Sequence, residues 1–258
     1  MEQVCRNCGY SFNGAYCNNC GQKFDVSRFT FKHIFEEALH AFTHADKSFL
    51  AYIQKLFIHP GKLSYEYIIE CKRKKYYNPF TFFVLITAID AFAESFDINI
   101  KEKLFNENNE YGHIFNVYSK LLYFALIPLF AFVMWLVHSK KPRIQFSECT
   151  VFAMILVSMY SMIETLVHSI NYLSTLITHT YVALEDNLFY FFFIMIYITT
   201  ADYAFYKPTV NSSWIRSAVT GLSFLLIMLA IQLFTVYAFI NHFRGIGRFD
   251  LFGIKINY

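Results

Sequence analysis

Four cysteines within the first twenty residues are the side chains best placed to do chemistry: Cys5 and Cys8 form one CxxC pair, Cys17 and Cys20 another. Two residues between the cysteines of a pair let both thiolates of one tight turn face a single point. Gly9 and Gly21 follow the second cysteine of each pair, where a left-handed backbone aims amide donors at sulfur. Two such turns face to face give four sulfurs in a tetrahedron, the geometry Zn²⁺ accepts; iron and a redox dithiol pair are the alternatives. The start, Met1-Glu2-Gln3-Val4-Cys5, lacks the basic and apolar regions of a secretory signal, so a reducing compartment is expected, where close cysteines favour metal over disulfide. Four thiolates leave no open position, which makes a structural zinc the expectation: it folds a segment too small to have a core. The segment from Tyr10 to Tyr16 is expected to form a short hairpin turning at Asn13-Gly14.

A second set of reactive groups lies inside apolar runs. Asp90 and Glu94 are four apart and share a helix face; Glu164 and His168 repeat that spacing; Asp202 stands in a later run. A charge at the bilayer centre costs about 2.5–3.5 kcal/mol on insertion scales, so such groups face the bundle or water. They read as a proton or cation path. The competing reading puts Glu94, Glu164 and His168 near the outer interface and Asp202 near the inner one, where the cost is small. His33, His40 and His44, with Glu36 and Glu37, suggest a second metal site; without an HExxH order, surface histidines on an interfacial helix are favoured. No Gly-x-Ser-x-Gly, HExxH or Gly-rich phosphate loop occurs, and Cys71 and Cys149 are lone cysteines suited to packing, so the expectation is a non-enzyme.

The elements that must hold these groups are membrane helices. Apolar residues make up 56% of the chain and charged residues 16%, well below the quarter or so usual for a soluble domain. Runs at about 79–96, 118–138, 149–170, 188–206 and 214–240 are long enough to span, and 172–184 reads as an outer loop or interfacial helix. Ahead of them, 29–58 has helical periodicity with a pause near Asp46, Pro60-Gly61 closes that stretch, and a third helix runs from Leu63 to about Cys71. These pieces are amphipathic and should lie on the membrane face or pack on the spans. Lys72, Arg73, Lys74 and Lys75, followed by Tyr76-Tyr77, form a collar whose cations meet lipid headgroups. The fold expected is therefore an all-α polytopic membrane protein of about five spans with a small N-terminal zinc ribbon: ribbon 1–24, amphipathic helices and collar 25–78, transmembrane domain 79–258. Basic residues in successive loops alternate as a cytosolic N-terminus requires, counting Lys101, Lys103 and Lys120 in the first outer loop; Arg244, Arg248 and Lys255 at the far end resist the pattern.

Taken in order, Cys5 to Cys8, Tyr16-Cys17-Asn18-Asn19-Cys20-Gly21-Gln22, Arg28, Phe49-Leu50, Leu56, Pro60-Gly61 and Lys72 through Phe80 resemble an uncharacterised bacterial family of membrane proteins that pair a short zinc ribbon with several spans. The likeness covers roughly residues 5–95. Cys71 stands where that family often has Gly, which puts a tight turn there in question. A looser fold-level likeness is to Yip1-type membrane proteins, with a cytosolic N-terminus and five spans. Neither brings an activity with it. The expectation is a docking or scaffold protein of the bacterial inner membrane, its cytosolic head meeting a protein partner and its spans meeting lipid. A transporter or channel using the intramembrane acids is the alternative. The net charge of +3 gives no reason to expect nucleic acid.

Overall fold

The computed structural model describes residues 3–24, 49–105, 110–138, 144–181, 184, 188–242, 248–251 and 254–257. The expectations for Asp46, Arg28 and the three histidines His33, His40 and His44 lie outside these residues. The chain is all-α, with five helices long and apolar enough to cross a membrane and a four-cysteine ribbon built on a small hairpin.

In the ribbon, β1 (Gln3–Val4) pairs antiparallel with β2 (Ser11–Phe12), and Tyr16 bridges Lys23. The hairpin therefore turns through the first CxxC loop. Asn13-Gly14 instead joins the two cysteine loops, a correction to the turn read from sequence. The cysteine loops impose this, because each closes its own pair of backbone hydrogen bonds.

Two short helices follow, α1 (Phe49–Ile58) and α2 (Pro60–Ile68). Pro60 opens α2 as well as closing α1, since its fixed φ and missing N–H suit the first helical position. Beyond α2, Cys71 takes φ +57, so the tight turn is made by a cysteine. Arg73–Lys75 adds one 3₁₀ turn. Asn78 then caps α3 (Pro79–Phe105): its Oδ1 accepts from the amides of Phe80 (2.9 Å) and Thr81 (3.2 Å).

The remaining spans are α4 (Glu110–Val137), α5 (Phe146–Thr178), α6 (Leu188–Val210) and α7 (Trp214–His242). Three of these helices differ from the sequence reading. Helix α3 runs on through Lys101 and Lys103, and α4 begins before Lys120, so Lys120 is an interior residue rather than a loop cation. Helix α5 continues through most of the stretch read as an outer loop, ending at His179 with φ +55. Its threonines do not break it, because Thr175 and Thr178 donate their hydroxyls to carbonyls one turn back, at 2.8 Å each. A C-terminal hairpin, β3 (Arg248–Leu251) with β4 (Ile254–Asn257), was not foreseen.

Helix α5 is the axis of the body. In its most apolar stretch 83% is buried, against 28–39% for the other four spans. It packs on α3 and α4; α4 packs on α7, α7 on α6, and α2 wedges between α5 and α6. The α2–α6 approach depends on Gly61. A Cβ there would strike the Ala201 carbonyl and lie 2.7 Å from the Ala204 Cβ. Tyr197 of α6 also donates its hydroxyl to the Leu56 carbonyl at 3.1 Å, tying α1 to the same span. The amphipathic helices thus pack on the spans. Gly61→Ala should cost about 1–3 kcal/mol, the usual penalty of overpacking, and lower the thermal midpoint in detergent, whereas exposed Gln54→Ala should leave it unchanged.

Candidate metal centre and buried charge clusters

The cysteine loops are closed locally. The amide of Gly9 donates to the Cys5 carbonyl (2.9 Å) and that of Cys5 to the Tyr10 carbonyl (3.0 Å); Gly21 donates to Cys17 (2.8 Å) and Cys17 to Gln22 (2.9 Å). Gly9 and Gly21 take φ +74 and +70, the left-handed backbone expected of them. All four sulfurs lie within 4.8 Å of one another, with Cys5–Cys20 at 3.5 Å and Cys8–Cys17 at 3.6 Å. A tetrahedron with metal–sulfur bonds of about 2.3 Å has edges of about 3.8 Å, so the four thiols fit a metal ion with little adjustment. As free thiols they differ: burial pushes Cys5 up to about 11, while a hydrogen bond from the Tyr10 backbone is the main influence bringing Cys8 down to about 6. Binding a metal requires displacing thiol protons, and burial makes Cys5 hold its own firmly.

The ribbon is latched to the body by Gln22, which is buried. Its Nε2 donates to the Cys71 carbonyl at 2.9 Å, and its Oε1 accepts from the Lys74 amide at 3.5 Å. The left-handed turn at Cys71 presents that carbonyl to the ribbon. Nearby, Glu66 of α2 accepts from Lys75 and, at 2.6 Å, from the Tyr76 hydroxyl. Burial alone would raise the Glu66 carboxyl, but those two donors and the charges of Lys75 and Lys72 outweigh it and hold the group below the usual carboxylate range. Lys72 pairs with Glu70 at 2.6 Å, and Lys74 is exposed. Lys72 and Lys75 of the collar are thus engaged with acids of α2 and its C-terminal turn.

The intramembrane groups fall into two clusters. In the first, Lys120 lies 2.6 Å from Asp90 and 3.0 Å from Glu94. His168 lies 3.5 Å from Glu164 and 3.0 Å from Asp97. Asn171 and Tyr181 also reach the Asp97 Oδ2, and Tyr190 donates to Glu164. The sequence reading named Asp90, Glu94, Glu164 and His168, and the structure brings all four into one region. It missed Lys120 and Asp97. The signal for Asp97 was present: Asp90, Glu94 and Asp97 fall at i, i+4 and i+7 on α3, facing Glu164, His168 and Asn171 at the same spacing on α5.

In the second cluster, Asp202 lies 2.9 Å from the Nε2 of His138, whose Nδ1 is 3.0 Å from the Ser212 hydroxyl. Thr220 is 3.4 Å from the same ring, and Tyr206 stacks on it at 3.7 Å. Ser212, His138 and Asp202 are residue types that a nucleophilic triad uses. Here they are all buried, and the Tyr206 ring covers the imidazole, so the hydroxyl is closed to an acyl substrate. The cluster ties the end of α4 to the α6–α7 turn.

A family model described as "Protein of unknown function (DUF3667)" matches residues 46–89, which hold α1, α2, the collar and the start of α3. The chain is similar to that family over this stretch; the cysteine ribbon lies outside it. No curated protein and no solved structure matches the chain.

Purified protein should carry one metal ion per chain by elemental analysis. Cys8→Ser or a strong chelator should remove it and unfold the ribbon, while the far-ultraviolet helical signal of the body stays within a few per cent of the native value.

Proposed function

We propose that the protein is a non-enzymatic, multi-pass protein of a bacterial inner membrane whose cytosolic ribbon, folded by zinc, docks a protein partner. The observation that carries this reading is the ribbon's placement. Gln22 fixes it against the collar, yet Val4, Tyr10 and Tyr16 remain 61%, 50% and 60% exposed on a head of some twenty residues. Exposed apolar and aromatic side chains on a metal-rigid surface suit protein recognition. Zinc is favoured by four thiolate donors, a closed tetrahedral set and CxxC spacing. A cytosolic ribbon is favoured by Lys72, Arg73, Lys74 and Lys75 beside it, following the positive-inside tendency. Lipid contact is favoured by span residues such as Phe92, Phe189 and Ile215, which face outward. Nucleic acid is not expected as a partner.

A photo-crosslinking amino acid placed at Tyr10 or Tyr16 in growing cells should yield the same discrete protein adduct from both sites, lost on Cys8→Ser. Absence of any recurrent adduct, or one unaffected by Cys8→Ser, would overturn the docking reading.

One observation favours a second reading, proton- or cation-coupled transport. Asp90, Glu94, Asp97, Glu164 and His168 form a run of close ionisable groups across α3 and α5, with Lys120 at one end. Proteoliposomes should then show ion flux that Asp90→Asn or Glu164→Gln cuts at least tenfold. Flux equal to empty liposomes would remove this reading.

A further inference from the structure

Where α1 meets α2, the chain closes a pocket of about 160 Å³ whose walls include Lys55, His59, Lys62, Glu66, Lys75 and Tyr76. Three ammonium groups face one carboxylate, and that carboxylate is already taken, since Glu66 accepts from Lys75 and from the Tyr76 hydroxyl. Lys55 and Lys62 have no acidic partner among the described residues. The pocket therefore holds a local excess of two positive charges when His59 is neutral.

These cations are positioned rather than scattered. Lys55 and Lys75 each place Nζ 5.2 Å from the centre of the Tyr76 ring, so one aromatic ring gathers both. Lys62 stands in the first turn of α2, where His59 supplies no side-chain cap. The volume would hold about five waters at about 30 Å³ each, enough for a tetrahedral oxyanion with a short substituent. Only Lys75 of the collar enters this pocket. Lys55, His59 and Lys62 come from α1, the linking residue and α2; of the three only Lys55 falls in a stretch that sequence periodicity reads as an amphipathic helix.

We propose that this pocket binds a phosphate-bearing anion, whether the headgroup phosphate of an anionic lipid or a soluble phosphate. Several tetrahedrally disposed oxygens match three converging lysines better than a single planar carboxylate does. The pocket also adjoins Tyr76 and Tyr77 at the approach to the first span, the level at which headgroups lie. The inference is independent of the docking reading and goes beyond the general headgroup contact expected of the collar, because it names a bounded site.

The full-length protein, metal-loaded in detergent, is titrated calorimetrically with short-chain phosphatidic acid, short-chain phosphatidylcholine and inorganic phosphate. Phosphatidic acid is expected to bind saturably at one per chain, and Lys55→Gln with Lys62→Gln to weaken it at least tenfold. A charge-matched pair outside the pocket and the collar, Lys103→Gln with Lys207→Gln, is expected to change it less than twofold. All four lysines are exposed, so both doubly substituted proteins should melt with the native one. If inorganic phosphate binds and competes, the ligand is a soluble phosphate; if it neither binds nor competes, the ligand is the lipid headgroup. Unsaturable binding, equal binding of phosphatidylcholine, or equal losses in the two doubly substituted proteins would overturn the proposal, showing diffuse attraction without a site.

Discussion

Lys120 is the counter-charge on which the centre of the body depends. Two acids of α3 and the acid–histidine pair of α5 sit among apolar helices, where an isolated carboxylate would be costly. A single ammonium group within 3.0 Å of both Asp90 and Glu94 offsets part of that cost and draws α4 against α3. His168 with Asp97 and His138 with Asp202 are further close polar contacts, each joining segments distant in the chain. Between greasy helices in lipid, tails compete evenly with leucines, so packing alone discriminates poorly among arrangements. Complementary polar groups supply the discrimination, because a wrong register leaves a buried charge without its partner.

The ribbon follows a different rule. It has too little apolar surface for a core: among its described residues only Phe12 and three of its cysteines are well packed together. Its internal order comes from four thiols converging on one point and from backbone bonds around each loop. Among the described residues, Gln22 holds it to the body, reaching a carbonyl that a left-handed Cys71 turns toward it. One element is thus organised by converging thiols and loop hydrogen bonds and the other by helix packing, with the Gln22 amide among the described contacts between them.

Much of this was legible in the residues. The cysteine spacing gave the loops and their left-handed glycines, and the long apolar runs gave five spans with the α6 and α7 starts in place. What escaped were the features that belong to pairs of distant segments. Lys120 counted with the outer-loop cations because it stands at the edge of the run 118–138; the presence of Asp90 thirty residues earlier makes it an interior group. The threonine-rich stretch after Ile170 looked like a loop because propensity ignores hydroxyls that bond back to their own helix. Pro60-Gly61 read as a stop, but the glycine is there because α6 passes too close for a Cβ. The hairpin turn was misplaced because Asn-Gly is a strong local signal, and ligand-like cysteine loops overrode it.

The pairing of buried charges also has a bearing on biosynthesis. A chain inserted in order delivers Asp90 and Glu94 to the bilayer before Lys120 exists, Asp97 before His168 and His138 before Asp202, so in each pair one partner is threaded first and the other arrives to meet it. The first span waits with three acids unmatched, Asp90, Glu94 and Asp97. Its retention during translation therefore falls to the aromatic and cationic residues just before Pro79, which hold that helix at the surface until the second arrives.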